Sequence, residues 1–246
     1  MGVVLIVGGA PGLGQLAVER FRAAGDDVLL VDENAPARGL DEADARGGFA
    51  FVQGDLLDPS LAPLAATRAV ENFGSIDTLL VTASLGTGAP LADWTPDLWD
   101  RSVGINLKMP FFFAQAAAPH LAVSANPCIL FLSSTASLRG QAGAHGFQAA
   151  KAGLSGLVRS LAAELGPQGV RVNALLPGWI DTPFNNSFWE AQPQPVAARA
   201  AMDGRIPLRR HGAPNEVVET ILFLASPAGA YISGTALVVD GGFTAV

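Results

Sequence analysis

The stretch GVVLIVGGAPGLG, residues 2–14, predicts a buried strand, a glycine-rich loop and the start of a helix. Residues 2–7 are apolar without polar alternation, which is typical of a strand that is covered on both faces. The helix is expected from about residue 12 to residue 24. A strand that leads through a glycine-rich turn into a helix is the first half of a βαβ unit, so this stretch predicts a parallel sheet.

The same alternation of short apolar runs and longer helical patterns continues along the chain. Further strands are predicted at residues 28–31, 49–52, 78–82, 129–132 and 170–176. Strands separated by helical segments form right-handed βαβ units, which assemble into a doubly wound sheet with helices on both faces. We therefore expect an α/β fold of the Rossmann type, a three-layer sandwich with about seven parallel strands, formed by residues 1–246 as one domain.

Composition narrows the possible partners. The chain has 22 acidic and 15 basic residues and a net charge of −7, which argues against a nucleic acid or an anionic membrane as a partner. No apolar run reaches the roughly 18 residues of a membrane-spanning helix, and the N-terminus lacks the basic region of a signal peptide. The single cysteine, Cys128, cannot form an internal disulfide. We expect a cytoplasmic protein, and no residue pattern predicts a metal site.

The glycine-rich loop is a candidate site for the pyrophosphate of a dinucleotide. Residues without side chains let the backbone approach a pyrophosphate, and the helix beyond supplies N–H groups and a positive dipole end. Asp32 ends the second strand, where a carboxylate accepts hydrogen bonds from ribose hydroxyls and repels a 2′-phosphate. NAD is favoured over NADP, with Arg38 and Arg46 as alternative phosphate partners. The predicted contacts in the loop are Gly8, Pro11, Gly12, Leu13 and Gly14.

A second stretch, CILFLSSTASLRGQAGAHGFQAAK at residues 128–151, carries the candidate chemistry. An apolar strand ends in two serines, and the helix after the next turn presents Phe147 and Lys151 on one face, because residues four apart are neighbours on a helix. This stretch resembles the short-chain dehydrogenase/reductase family, which has a Ser, a Tyr thirteen positions later and a Lys four positions beyond the Tyr. Ser134 and Lys151 fit that spacing, but Phe147 stands at the Tyr position.

The resemblance covers almost the whole chain and implies further contacts. It implies cofactor contacts at Asp55, Leu56, Ala83, Ser84, Lys151, Pro177, Gly178, Ile180 and Thr182. Relatives carry Asn-Asn-Ala-Gly where this chain has residues 81–84, so we expect the polar bonds at this strand end to be lost. A helix is predicted at residues 98–113, and within it Asn106 matches the Asn whose backbone carbonyl holds a water beside the active-site Lys.

The mechanism that the resemblance implies needs a proton donor that this chain lacks. In the family, hydride moves between a carbinol carbon and nicotinamide, and the Tyr phenol transfers the proton. Ser134 would bind the substrate oxygen, Lys151 the ribose and Asn106 a proton-relay water. Phe147 has no proton to transfer, and loss of a positioned general acid costs about 10²–10⁴-fold in rate.

Three explanations of Phe147 are open. In the first, the chain is an NAD(H)-dependent oxidoreductase of secondary alcohols and ketones that is impaired by an engineered Tyr-to-Phe change. In the second, it is a natural relative that uses different proton chemistry. In the third, it is a non-catalytic or regulatory NAD-binding protein on the same scaffold. Retention of Ser134, Lys151, Asn106 and Thr182 favours an oxidoreductase.

The remaining expectations concern substrate and assembly. The resemblance implies a substrate lid at about residues 183–210, with a helix pair that packs on the core as the alternative. The aromatic residues of a lid would imply an apolar or ring-bearing alcohol or ketone. His145 is placed before the helix as a candidate pocket residue. The predicted substrate contacts are Ser134, His145, Phe184, Phe188 and Trp189. Apolar helix faces at residues 109–118 and 154–165, with the habit of the family, imply a homotetramer or homodimer.

Overall fold

The computed structural model describes residues 2–9, 12–36 and 46–246. Within these residues the strands are β1 (Val3–Val7), β2 (Asp27–Asp32), β3 (Phe49–Gln53), β4 (Thr78–Val81), β5 (Cys128–Leu132), β6 (Arg171–Pro177) and β7 (Ala236–Val239). They form one parallel sheet in the order β3-β2-β1-β4-β5-β6-β7. The predicted doubly wound sheet is confirmed, and the predicted strands end within one residue of the observed ones. Pro11 and Arg38 lie outside the described residues.

Helices cover both faces of the sheet. They are α1 (Leu13–Ala24), α2 (Leu61–Phe73), α3 (Pro96–Val103), α4 (Met109–Leu121), α5 (His145–Leu165), α6 (Asn186–Glu190), α7 (Pro195–Arg205) and α8 (Pro214–Ala225). Helices α6 and α7 lie in the segment predicted to be the lid. No helix of the described chain is long and apolar enough to cross a membrane.

Alternation along each strand divides the apolar side chains between two cores. Successive side chains of a strand point to opposite faces, so β1 contributes Leu5 and Val7 to one core and Val4 and Ile6 to the other. Helices α2, α4 and α5 close the first core, whereas α1 and α8 close the second. Both faces of the central strands are therefore buried, which explains their continuous apolar sequence.

The helix predicted at residues 98–113 is longer than expected and not uniform. α3 begins earlier, where the Thr95 hydroxyl accepts a backbone N–H and caps the helix. A π-helical turn, Gly104–Lys108, then joins α3 to α4. Such a turn adds one residue to a helix and is frequent at functional sites. Here the turn carries Asn106.

The sheet order creates a crevice at one edge of the sheet. β2 and β3 lie on one side of β1, and β4 to β7 lie on the other. In doubly wound sheets, ligands bind outside the carboxyl ends of the strands at this switch point. The glycine-rich loop follows β1, and Ser133 and Ser134 follow β5. The glycine-rich loop and the two serines therefore lie at the same end of the sheet, beyond the carboxyl ends of the strands.

Candidate active site

Lys151 is bound to the end of β5 through its side chain and its backbone. Its Nζ donates a hydrogen bond to the Leu132 carbonyl at 2.7 Å, and its own carbonyl accepts one from the Ser133 hydroxyl at 3.0 Å. The residue is 1% exposed. α5 therefore holds the Lys151 amine against the last carbonyl of β5, directly before the two serines in the chain.

Burial sets the charge of Lys151. Removal of an ammonium group from water disfavours its charged form, and burial lowers the pKa of Lys151 to about 7. Among the described residues, no carboxylate forms an ion pair with this side chain. At neutral pH the group is divided between amine and ammonium, so it is able both to accept and to release a proton.

The Ser134 hydroxyl is oriented by its own turn. Its Oγ accepts a hydrogen bond from the Ala136 N–H at 3.1 Å, at the start of a 3-10 turn. A hydroxyl that accepts in this way keeps its hydrogen for another partner, and a substrate oxygen is a suitable one. Gln148 supports the turn, because its Nε2 donates to the Ala136 carbonyl at 3.0 Å and also to the Arg139 carbonyl.

Phe147 lies beside Lys151, as helical spacing predicts. The Lys151 Nζ is 5.8 Å from the centroid of the Phe147 ring, and the ring centroids of Phe147 and Phe184 are 6.4 Å apart. A Cβ on Gly86 would lie 3.0 Å from the Phe184 Cζ, so Phe184 packs against the loop after β4. Phe147 and Phe184 thus give the site an aromatic wall with no hydroxyl on it.

Asn106 joins the π turn to the loop after β4. Its Nδ2 donates to the Leu85 and Ser102 carbonyls, both at 2.9 Å. Its Oδ1 accepts from the Leu85 N–H at 3.1 Å and from the Ser84 hydroxyl at 3.2 Å. The buried side chain is therefore used to fix this loop. The predicted role of the Asn106 backbone carbonyl in holding a water stays a prediction.

The expected loss of polar bonds at the end of β4 is wrong. The Thr82 hydroxyl donates to the Gly8 carbonyl at 2.5 Å and so links this strand end to the glycine-rich loop. Ser84 adds its bond to Asn106. Ala83 also meets the loop closely, since a Cβ on Gly8 would lie 2.3 Å from the Ala83 Cβ. Two hydroxyls supply the polar bonds here, and the cofactor contacts of Ala83 and Ser84 stay predictions.

The glycine-rich loop fits a pyrophosphate. Gly12 has a φ of 145°, and among the described residues a Cβ on it would meet the Gly9 carbonyl, at 3.4 Å, and no other atom within 4 Å. Gly12 is the N-cap of α1, has no side-chain cap and is followed by Leu13, the first helical residue. N–H groups and the positive dipole end of α1 therefore face an open surface that suits an anion. Gly14 packs closely, because its Cβ would lie 2.1 Å from the Gly8 carbonyl, and the cofactor contacts of Gly8, Gly12, Leu13 and Gly14 stay predictions.

A cavity of about 370 Å³ lies beyond the ends of β2 and β3. It is lined by Glu33, Gln53, Gly54, Asp55, Leu57 and Arg101. Asp32 is buried at the end of β2, where its carboxylate accepts from the Asn34 N–H at 2.8 Å. The Glu33 carboxylate accepts from the Leu56 N–H at 3.4 Å. Asp32, Glu33 and Asp55 outnumber Arg101 here, so this end of the crevice is acidic. The contacts of Asp32, Asp55 and Leu56 with a cofactor stay predictions.

The segment after β6 is connected to the lid. The Asp181 N–H donates to the Gly212 carbonyl and the Gly212 N–H to the Trp179 carbonyl, both at 2.9 Å. The Asp181 carboxylate forms an ion pair with Arg199 of α7 at 2.9 Å. The segment contains the predicted cofactor contacts Pro177, Gly178, Ile180 and Thr182, whose role stays a prediction. Asp181 therefore links this segment to α7 by an exposed ion pair and to Gly212 by a backbone hydrogen bond.

An aromatic cluster that the sequence did not predict lies at the base of the lid. The Trp179 ring centroid is 5.0 Å from that of Phe188 and 4.9 Å from that of Trp189, and His211 is 5.4 Å from Trp189. The Nδ1 of buried His211 lies 2.6 Å from the Asp203 carboxylate of α7. Phe188 and Trp189 therefore anchor the short helix α6, and their contact with substrate stays a prediction.

His145 is the first residue of α5, so its placement before the helix was wrong. Its ring centroid lies 5.8 Å from that of Trp94. The Trp94 Nε1 donates to the Ala89 carbonyl at 3.0 Å and to the Gly143 carbonyl at 3.2 Å, which joins the loop after β4 to the turn before α5. His145 packs on this indole, and its contact with substrate stays a prediction.

Comparison with known proteins agrees with this geometry. A family model described as enoyl-(acyl carrier protein) reductase matches residues 8–244. A probable galactose dehydrogenase of Rhizobium meliloti is 35% identical over 243 residues, covering 97% of this chain and 93% of that protein. The cis-4-hydroxycyclohexanecarboxylate dehydrogenase of Sinomonas cyclohexanicum is 34% identical over 249 residues, covering 99% and 97%. The structure of Thermoplasma acidophilum aldohexose dehydrogenase matches with a TM-score of 0.90 and 26% identity, covering 100% of this chain and 94% of that one.

The chain belongs to the short-chain dehydrogenase/reductase family. The predicted family, its fold and its assignment as an oxidoreductase are thereby confirmed. The relatives are named as dehydrogenases of small molecules.

Proposed function

We propose that this protein is an NAD(H)-dependent oxidoreductase that interconverts a cyclic secondary alcohol and its ketone. The observation that carries the proposal is the position of the Lys151 amine at the last carbonyl of β5, two residues before the oriented hydroxyl of Ser134, with the Phe147 ring next to the amine and Phe184 next to Phe147. A scaffold that only bound a dinucleotide would have no physical need for an oriented hydroxyl and a buried amine at this place.

Different parts of the chain bind the cofactor and the substrate. The N-terminus of α1 holds the pyrophosphate, and the acidic end of the crevice receives the adenosine ribose. Ser134 donates its hydrogen to the substrate oxygen, which polarises a carbonyl or orients a hydroxyl. Lys151 lies where the nicotinamide ribose binds in the family. A nicotinamide bound there would accept or donate the hydride.

The substrate is a ring-bearing alcohol or ketone. Phe147 and Phe184 offer two ring faces 6.4 Å apart between centroids, and aromatic faces bind the apolar faces of sugars and cyclohexanols. The relatives named for galactose, aldohexose and a hydroxycyclohexane carboxylate support the same class.

Cofactor choice is tested by titration of nicotinamide fluorescence. A 2′-phosphate about 4 Å from a carboxylate would be repelled by about 1–4 kcal/mol at a protein surface. We expect the Kd of NADPH to exceed that of NADH by about tenfold or more. Asp32→Ala should lower the ratio of the Kd for NADPH to the Kd for NADH. Asp93 is exposed in the loop after β4, and Asp93→Ala should leave this ratio unchanged. Equal binding of both cofactors by the wild-type chain would contradict the role of the acidic end.

The enzymatic function is tested by Phe147→Tyr. The phenol would stand beside the Lys151 amine, and turnover of cyclic alcohols with NAD should rise, by at most the roughly 10²–10⁴-fold that a positioned acid or base contributes, with little change in NADH affinity. Phe223→Tyr, on an exposed part of α8, is the control and should change nothing. The second candidate function is a non-catalytic NAD-binding protein, and the absence of a hydroxyl on the aromatic wall favours it. Good NADH binding with no turnover in either the wild type or the Phe147→Tyr variant would support this second candidate.

Assembly and location belong to the same proposal. Most apolar residues of α4 and α5 are buried within the chain, but Phe111 and Phe112 remain 37% exposed. We infer that these two rings lie in a contact between subunits of a homotetramer or homodimer, in the cytoplasm. Light scattering at micromolar concentration tests the contact, and a monomer would contradict it.

A further inference from the structure

The site needs a group that moves a proton, and most titratable side chains are directed elsewhere. Tyr231 is fully exposed on the surface. Cys128 is buried against the Leu224 carbonyl, and burial raises the pKa of its thiol to about 12. His145 packs on Trp94 rather than toward Phe147 and Phe184.

Asp181, the carboxylate nearest in sequence to the predicted nicotinamide contacts, is also occupied. It is exposed and forms an ion pair with Arg199 of the lid. A carboxylate that is held in water by a guanidinium is a poor base for a substrate hydroxyl. Among the described residues considered, this leaves Lys151 as the titratable group inside the aromatic wall.

Lys151 has the geometry for the task. Its Nζ makes one hydrogen bond to protein among the described residues, to the Leu132 carbonyl, although an ammonium has three hydrogens to donate. The Phe147 ring centroid is 5.8 Å from Nζ, a separation at which the amine lies beside the ring. Ser134, which would hold the substrate oxygen, follows two residues after Leu132 on the same strand end.

We propose that Lys151 itself is the proton carrier of this oxidoreductase, exchanging a proton with the substrate hydroxyl through one water beside the Phe147 ring. This assignment rests on the proposed function and deepens it. In the direction of oxidation, the hydroxyl O–H bond breaks and its proton passes through the water to the amine, which becomes ammonium. The carbinol C–H bond breaks as hydride, which NAD accepts, and the carbon–oxygen bond becomes a carbonyl. Ketone reduction is the reverse, with the ammonium returning the proton.

The charge environment of Lys151 favours this exchange near neutral pH. Within the described part of the chain, the groups recorded in contact with it are uncharged: Leu132 and Ser133 at the end of β5 and Phe147 on its own helix. Burial is the cause of its lowered pKa of about 7. The free amine is needed for oxidation, so kcat for oxidation should rise with pH through about 7. The ammonium is needed for reduction, so kcat for reduction should fall through the same range.

The first test needs no turnover. The chain contains two lysines, Lys108 and Lys151, so lysine labelled with ¹³C at the ε position gives two signals whose titration NMR follows. One signal should titrate near pH 7, and it should persist in Lys108→Arg and vanish in Lys151→Arg. Two signals that both titrate above pH 9 would overturn the proposal, whatever the fate of the proposed function.

The second test separates proton transfer from a structural role. In Lys151→Ala, kcat at saturating NAD should fall by about 100-fold or more. Methylamine, ethylamine and fluoroethylamines should restore it in proportion to their basicity, because the added amine takes the proton. Lys151→Arg, which keeps a cation that does not deprotonate, should be as slow as Lys151→Ala. An active Lys151→Arg, or rescue that ignores the basicity of the amine, would overturn the proposal.

Failure of the proposal and failure of the proposed function give different results. Wild-type turnover that is flat between pH 6 and pH 8.5 would refute proton transfer by Lys151 and leave the oxidoreductase in place. A lysine signal near pH 7 in a chain that never turns over cyclic alcohols, even as Phe147→Tyr, would refute the oxidoreductase and with it the proton transfer.

Discussion

The buried amine of Lys151 should make the stability of the protein depend on pH in a direction that can be calculated. In the unfolded chain a lysine has a pKa of about 10.4, whereas burial lowers the pKa of Lys151 to about 7 in the folded chain. Between these values the unfolded state binds more protons than the folded state, so the free energy of unfolding rises with pH. Below pH 7 both states are protonated, and the full penalty of burying the ammonium remains.

The magnitude follows from the two pKa values. Each pH unit between them contributes up to about 1.4 kcal/mol. Because Lys151 is half-titrated at pH 7, the gain between pH 7 and pH 9 is about 2 kcal/mol. Lys151→Met removes the titrating group and retains a side chain of similar length, so the wild-type chain should gain about 2 kcal/mol relative to this variant over that range.

Urea unfolding at pH 7, 8 and 9 without cofactor measures the difference. Lys108→Met is the matched control, because Lys108 is exposed and its ammonium stays in water in both states. The wild type and the Lys108→Met chain should respond to pH alike. A difference between wild type and Lys151→Met that does not change from pH 7 to pH 9 would refute the argument, since the Lys151 ammonium would then be hydrated inside the fold.

Two further predictions concern packing and substrate. Gly8→Ala should destabilise the chain by about 3 kcal/mol in thermal unfolding, because the new Cβ would lie 2.3 Å from the Ala83 Cβ and the residue has a φ of 83°. Gly74 has a similar φ, but no atom lies within 4 Å of its Cβ position, so Gly74→Ala should cost only about 1 kcal/mol. Phe184→Ala should raise the KM for a cyclic alcohol by about tenfold with little change in kcat, because one ring face is lost, whereas Phe223→Ala, exposed on α8, should leave KM unchanged.

The fold was predictable because its signals are local. Apolar runs without alternation indicate strands buried on both faces, and the structure covers β1 with helices on each side. Ser134, Phe147 and Lys151 were also predictable, since a fixed spacing along one strand end and one helix determines which side chains meet. The structure places Lys151 next to the Phe147 ring and against the carbonyl of Leu132, two residues before Ser134, while the roles of the three residues stay predictions.

Contacts between distant segments were not predictable in the same way. The hydrogen bond from the Thr82 hydroxyl to the Gly8 carbonyl forms where two loops meet, and no periodic pattern in the sequence predicts it. The same holds for His211, Trp189 and Asp203, which come into contact only in the folded chain. Composition shows that aromatic residues are present in the lid, but it does not distinguish those that face a substrate from those that anchor a helix.

The π turn, Gly104–Lys108, has a consequence for the rotational phase of α4. A π turn holds one residue more than an α-turn, so loss of one residue from it would leave a regular α-turn and keep α4 close to its present rotation. Phe113, now 2% exposed, would stay in the core. The Asn106 side chain, which bonds the Leu85 carbonyl and N–H from this turn, would be displaced instead. A single-codon deletion in this turn would therefore release the loop after β4 and leave the packing of α4 intact.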